Sequence, residues 1–373
     1  MERLAAVPGD GPLTRLWRRL LGREAATRPA PRARPVSVLV ARSHKESVVP
    51  ADSGSDRPAL LSADWLATVK PQTPPLEPWE EAQLDPVYAL VVERFPDAVR
   101  ALPPLSPLAA QCAGLIQNPN TSVQEVVRFV SRDPLVAAQV LRLANSAHYS
   151  RGETVVGVRD AVVRLGFREV YSLVMALSCV GAASGDGSGP VEHANIRGNL
   201  WRHALTSAFA AGQLSMVIRR GDLDVVFLGG LLHDVGKVVG LRILAQLAQE
   251  EALPVPLGMA FTLRMLEAVH VRVGADLLAH WRLPPEIQRV CVDHHRREDV
   301  NGAEHASTHV VRVVSGAHEL LTSAYCSERV PQEVLQSALA LDMDDAQLRL
   351  VANHVQEAGL KAELVLGSSG RVS

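Results

Sequence analysis

Six histidines and one aspartate beyond residue 200 carry the most distinctive chemistry of this chain. They are His203 in Leu-Trp-Arg-His, the pair His233-Asp234 in Gly-Gly-Leu-Leu-His-Asp-Val-Gly-Lys, His270 in Glu-Ala-Val-His, the doublet His294-His295, and His318. Imidazole nitrogen and carboxylate oxygen are the donors that Zn, Mn and Fe take in nitrogen/oxygen sites. The chemistry they suggest is therefore binding of a divalent metal, Mn, Fe or Zn.

Donors so scattered need several helices to gather them. His270 is in register with Leu266, Val273, Gly274, Leu277 and Trp281, which puts it near the buried face of its helix. His233 follows an apolar run from Val225 to Leu232 that contains Gly229 and Gly230. Each glycine costs a helix about 1 kcal/mol relative to alanine, so a close helix contact is expected there. Gly236-Lys237 places a cation at the end of that helix, where an anionic ligand can lie. A lone histidine in an apolar stripe is commonly just a hydrogen-bonded core residue. An adjacent His-Asp is harder to explain that way, because burying a carboxylate without a partner costs several kcal/mol. His294-His295 precedes Arg296-Arg-Glu-Asp299 and also reads as a solvated helix end; His44, His148, His193, His280, His305 and His309 read as surface or capping residues.

The local signals between Asp85 and the C-terminus are helical. Ser122-x-x-Glu125 is a capping box, Asp133-Pro134 is an N-cap followed by a first-turn proline, and Gly166 stops a short helix over 158–165. Further helices are expected over 191–219, 223–249, 261–281, 285–297, 303–325, 331–341 and 344–359. Alternating apolar/polar runs with turn dipeptides are nearly absent. The fold class is all-α, a helical bundle able to bring the histidines to one point.

Residues 1–85 differ. They hold 11 of the 24 prolines and read as a disordered Pro/Arg-rich lead-in. Within it, Leu13, Leu16, Trp17, Leu20 and Leu21 oppose Arg15, Arg18, Arg19 and Arg23. A short basic amphipathic helix over 13–23 is of the kind that lies on an anionic membrane or docks on a partner, although three turns are marginal alone. The remaining divisions are 86–185, a first helical part; 190–325, a second helical part with the His/Asp pocket; and 326–373, C-terminal helices and tail. Net charge is −2, and no aromatic platform accompanies the basic residues, so there is no strong nucleic-acid signal. Four widely separated cysteines make no framework, which fits a reducing cytoplasm.

The order His203, His233-Asp234, His270, His294-His295 resembles the HD superfamily of metal-dependent phosphohydrolases. The longer arrangement is similar to an HDOD domain, the HD-related output domain of bacterial signalling proteins. Residues 131–146, 158–167, 231–237 and 274–284 carry the likeness, which spans about 102–321. The resemblance implies an all-helical regulatory module with a signalling protein as partner. Its catalytic cousins, the HD-GYP phosphodiesterases, hydrolyse cyclic di-GMP, and their metal ligands would carry over onto His203, His233, Asp234, His270, His294 and His295. Three departures stand against turnover. His318 follows Ala317 where the superfamily usually has Asp, Asn199 stands where that branch has Glu, and 296–303 lacks the Gly-Tyr-Pro signature. Two divalent ions would bring four positive charges to one carboxylate, so a single metal on His203, His233, Asp234 and His318 is the better expectation. The resemblance then implies a metal-bound water as nucleophile toward a phosphoester, with Asp234 and Lys237 as the catalytic residues and Lys237 steadying the phosphate. Two functions follow: a regulatory module sensing a metal or nucleotide ligand, or a metal-dependent phosphodiesterase or phosphohydrolase. The departures lean toward the first.

Overall fold

A computed structural model describes residues 61–69, 75–102, 120–146, 148–150, 152–184, 191–253, 258–296, 302–323 and 326–366, with a few isolated positions over 111–118. Among them the regular structure is helical and no strand occurs. The amphipathic stretch 13–23 and the Gly-rich segment 185–190 lie outside the described residues.

Part of the expected lead-in is ordered. Helix α1 (Ala63–Thr68) buries Ala63 and Leu66, with Ser62 Oγ capping it through the Trp65 amide. A single turn, α2 (Pro78–Glu81), leads into α3 (Leu84–Arg100). Within the stretch read as a lead-in, residues 61–69 and 75–85 therefore hold short helices, and burial of Leu61 and Leu66 anchors the first of them.

The first helical part forms as its caps foretell. Ser122 and Glu125 satisfy each other's backbone amides at 3.3 and 2.7 Å, opening α4 (Val123–Val130). Asp133 accepts from the amides of Leu135 and Val136 and opens α5 (Pro134–Ala144). Gly166, at φ +80°, closes α6 (Val158–Leu165) and releases the chain into α7 (Phe167–Ser184).

The second part is organised around α8 (Val191–Ile218), the 28-residue helix that carries His203. Against it pack α9 (Leu223–Leu232), α10 (Val235–Gln249), α13 (Ala306–Thr322) and α15 (Asp345–Leu366). Helix α11 (Met259–His280) lies on α10, α12 (Pro285–Asp293) bridges α9 and α11, and α14 (Val330–Ala340) packs on α13 and α1.

The expected single helix over 223–249 is two helices. The backbone breaks at His233-Asp234, where Asp234 adopts φ −106°, ψ 10°. Both helices are buried on nearly every side, so the apolar pattern runs through the break without changing period. Backbone contact sets it: a Cβ on Gly236 would lie 2.0 Å from the His270 carbonyl oxygen, and one on Gly230 would lie 2.9 Å from the Ala208 Cα. The two glycines thus permit the approaches to α11 and α8, and the turn between them aims Asp234 inward. The break also moves Lys237 from the end of a helix to the first turn of α10. Among the described residues no helix is long and apolar enough to cross a membrane. All four cysteines are buried and free.

Candidate metal centre

His203 comes from α8, His233-Asp234 from the α9–α10 turn, His270 from α11, His294-His295 from the end of α12, and His318 from α13. These seven residues converge. Asp234 and His233, His270, His294 and His318 are buried, while His203 and His295 keep about a sixth of their side chains exposed, at 15% and 17%.

One local device orients three of the rings. His233 Nδ1 meets the Gly230 carbonyl at 2.9 Å, His270 Nδ1 the Glu267 carbonyl at 2.9 Å, and His294 Nδ1 the Cys291 carbonyl at 2.7 Å. Each partner lies three residues earlier on the same helix. A carbonyl only accepts, so each Nδ1 carries the proton and each Nε2 presents a lone pair to the centre. Burial reinforces this by penalising the charged ring. It holds His233 down at about 4 and His318 at about 4, and together with the Lys237 charge it holds His270 at about 3. Burial and neighbouring histidines place His203 and His295 well below the usual range too.

Asp234 divides the rings into two halves. Its Oδ2 lies 3.6 Å from both His203 Nε2 and His233 Nε2, which are 3.2 Å from each other. Its Oδ1 lies 3.5 Å from His270 Nε2 and 3.6 Å from His294 Nε2, again 3.2 Å apart. Donors held 2.1 Å from a common ion at tetrahedral angles are about 3.4 Å apart, so both triangles have the edges of a coordination shell. Burial alone would raise the Asp234 pKa, but Lys237 and the surrounding rings hold it well below the ordinary carboxylate range. It is the carboxylate form that faces both halves.

The halves differ in their hydrogens. On the Oδ2 side every contact can be satisfied without an ion. With the His203 proton on Nε2, His318 Nδ1 can donate to His203 Nδ1 at 2.8 Å and His203 Nε2 to His233 Nε2 at 3.2 Å, while Lys237 Nζ donates to Oδ2 at 2.9 Å. On the Oδ1 side this is impossible. His270 and His294 have spent their protons on carbonyls, and no donor among the described residues reaches Oδ1 within hydrogen-bond distance. His295 adds a further ring, its Nδ1 3.0 Å from Glu333 Oε2. The ligand atoms of Asp234, His270, His294 and His295 lie within 4.8 Å of one another. Buried lone pairs that face one another without a donor are costly, and a cation relieves them. A metal held at Oδ1 therefore fits the residues present.

Asp234, His203 and His233, three of the four residues expected from sequence to hold a single metal, also lie within ligand distance of one another. The side with His203, His233 and His318 differs from the other in that its contacts can also close as a hydrogen-bond chain without an ion. His318 stands behind His203, on its far nitrogen, outside both ligand groups. Lys237 is held by Asp234 and by Glu267 Oε2 at 3.0 Å, so it is engaged by carboxylates rather than open to a phosphate. His309, expected at the surface, is buried with Nδ1 3.1 Å from Ser337 Oγ.

Sequence reasoning missed the surrounding charges. Glu267 bridges Lys237 and Arg329, which hold its carboxyl at about 2 against the effect of burial. Glu319 lines the cavity, and burial pushes it up to about 7; burial also raises Glu333. Arg312, buried on α13, donates to the carbonyls of Asp293, His294 and Arg296 and so fixes the turn that carries the doublet. Only Glu267 left a trace in sequence, one helical turn before His270. The cavity among these side chains measures about 10 Å³, room for about one water or ion.

Comparison with known proteins agrees with this architecture. The family model described as "HDOD domain" matches residues 102–297, more than half of the chain. An uncharacterised protein of Treponema pallidum is 25% identical over 225 residues, covering 58% of this chain and 41% of the relative, so the chain spans about two fifths of that relative's length. A crystal structure from Shewanella amazonensis, named as a candidate metal-dependent phosphohydrolase, aligns at TM-score 0.57 and 16% identity over 76% of this chain and 100% of its own. An HDOD domain protein of unknown function from Geobacter sulfurreducens aligns at TM-score 0.55 and 24% identity over 76% and 97%. At these identities the structural likeness speaks for the fold.

Proposed function

The chain belongs to the HDOD family, and from that premise we propose that it is a regulatory module of signal transduction whose buried cage takes one divalent cation on Asp234 Oδ1, His270, His294 and His295. The observation that carries this is the Oδ1 side itself: a buried carboxylate oxygen without a donor, faced by two Nε2 lone pairs. A bound ion there joins α10, α11 and the end of α12, and supplies Lewis acidity. Three imidazoles with one carboxylate suit Zn, Mn or Fe.

The cavity argues for regulation over turnover. Small-molecule sites commonly need about 300–1,000 Å³, whereas the cavity lined by His203, His233, Asp234, His294 and His295 measures about 10 Å³, which favours an ion over a nucleotide as its occupant. Output then passes to a signalling protein through the bundle surface, with metal occupancy setting the rigidity beneath it. A second reading, a metal-dependent phosphohydrolase acting on a cyclic dinucleotide or other nucleotide, draws support from the Oδ2 triangle, whose edges would admit a second ion.

Elemental analysis of anaerobically purified protein, with turnover assays on cyclic dinucleotides and nucleotides in Mn²⁺ or Fe²⁺, separates the two. The proposal expects about one ion per chain and no turnover. Hydrolysis abolished by His233→Ala would replace it with the phosphohydrolase reading. Folded protein that takes up no ion would remove the metal from both.

A further inference from the structure

Helix α14 lies beyond the residues matched to the family, yet it reaches the cage. Three of the inward rings are oriented by carbonyls of their own helices, whereas His295 has no such partner. Its Nδ1 instead meets Glu333 Oε2, 38 residues away in sequence, at 3.0 Å. We propose that Glu333 is a positioning residue for the metal centre: it fixes the His295 ring and proton so that Nε2 faces the cavity, and it makes α14 part of the site. This rests on the metal reading above.

The placement of Glu333 is built, not incidental. Residues Val330, Glu333, Val334 and Ser337 share one face of α14, and that face meets α13 at close range. A Cβ on Gly316 would lie 2.5 Å from Val334 Cγ2, and Ser337 meets His309. The Glu333 side chain is only 10% exposed. Arg329, one turn earlier, lies 3.3 Å from Glu333 Oε1 and also pairs with Glu267 on α11, three residues before His270. His295 Nε2 lies 3.8 Å from Glu267 Oε1, between the two carboxylates. A carboxylate on the far nitrogen of a histidine fixes its tautomer and raises its basicity as a ligand, and removing such a partner typically weakens metal binding about 10–100-fold.

The test compares the full chain with Glu333→Gln and Ser337→Ala. Zn²⁺ and Co²⁺ affinities are measured by chelator competition, the visible spectrum of the Co²⁺ form is recorded, and nitrogen-15 histidine spectra are taken on metal-free protein. Glu333→Gln should bind both ions about 10–100-fold more weakly, shift the Co²⁺ bands, and release His295 into a mixture of tautomers. Ser337→Ala alters the same helix face without touching His295 and should leave all three readouts in place. Equal affinity and unchanged spectra in Glu333→Gln would reduce the contact to an ordinary ion-pair network. The unsubstituted chain remains decisive even if that variant does not fold, because finding the His295 proton on Nε2 overturns the proposal. Should the chain bind neither ion, the metal reading fails, while the tautomer still decides whether Glu333 holds the ring.

Discussion

Asp234 faces two pairs of imidazoles, and they are nearly equal in distance but unequal in what they demand. Around Oδ2, His318, His203, His233 and Lys237 supply enough protons to complete every contact. Around Oδ1, His270 and His294 have committed theirs to backbone carbonyls, and no donor is left. Spacing alone would make both sides metal sites. Counting hydrogens sets them apart: the first can be completed without an ion and the second cannot, which is what supports the proposed ligand set. Residue type and distance are therefore a weaker guide to a metal centre than the partner of each ring's far nitrogen.

The harshest way to break the comparison is Asp234→Asn, which removes the group both halves share. It leaves Lys237 with the half-buried Glu267 as its remaining ion-pair partner and takes the anionic oxygen from the metal side. Metal content should fall to background, and stability by about 3–5 kcal/mol, the usual cost of breaking a buried pair. Retained metal would show that the histidines alone hold the ion.

Gly236→Ala attacks the scaffold beneath both halves. Its new Cβ would meet the His270 carbonyl at 2.0 Å, so α10 and α11 must separate. Overpacking commonly costs about 1–3 kcal/mol and occasionally more. Denaturant unfolding should report a loss at the upper end, with weaker metal uptake; a neutral result would mean that the two helices can slide without disturbing the site.

Acid separates the cage from the rest more gently. His233 and His318 sit at about 4 and His270 at about 3, against an ordinary value of 6.5. Between those limits the unfolded chain binds protons that the folded chain excludes, so the metal-free protein gains stability as pH rises from about 4 to 6.5. Glu319, raised from 4.5 to about 7, opposes this, because its folded form keeps a proton the unfolded form has lost. The histidines outnumber it, so the urea midpoint should climb across that window. A midpoint that falls there would mean the rings are charged in the folded state. Added Zn²⁺ should lift the midpoint throughout the window, since the ion binds the folded chain in preference to the unfolded one.

The smallest effect belongs far from the cage. Asp133→Ala removes the cap of α5, contributing about 1 kcal/mol, and should leave metal content unchanged.

Much of this could be read from the chain. The capping box at Ser122, the Asp133 cap, the Gly166 stop and the all-helical class depend on local chemistry, and they formed as expected. The gathering of His203, His233, Asp234, His270 and His294 was legible because an apolar helix does not bury an Asp idly. The break at Asp234 was hidden, since an unbroken apolar run looks alike in one helix or two and a contact with α11 decides the matter. Glu333 on α14, Arg329 at its N-cap and Arg312 on α13 carry no sequence mark that separates them from surface charges. Tertiary packing alone brings them to the rings. The choice between halves was the least legible, because it depends on which carbonyl or carboxylate lies behind each imidazole.

The sharpest test sets His270→Ala beside His203→Ala and counts divalent metal in both after anaerobic purification, with urea unfolding to confirm that each is folded. The Oδ1 assignment predicts that His270→Ala loses its ion while His203→Ala keeps it, at the cost of about 1–3 kcal/mol from a broken hydrogen-bond chain. Metal retained in His270→Ala and lost from His203→Ala would contradict the account and move the centre to the other face of Asp234.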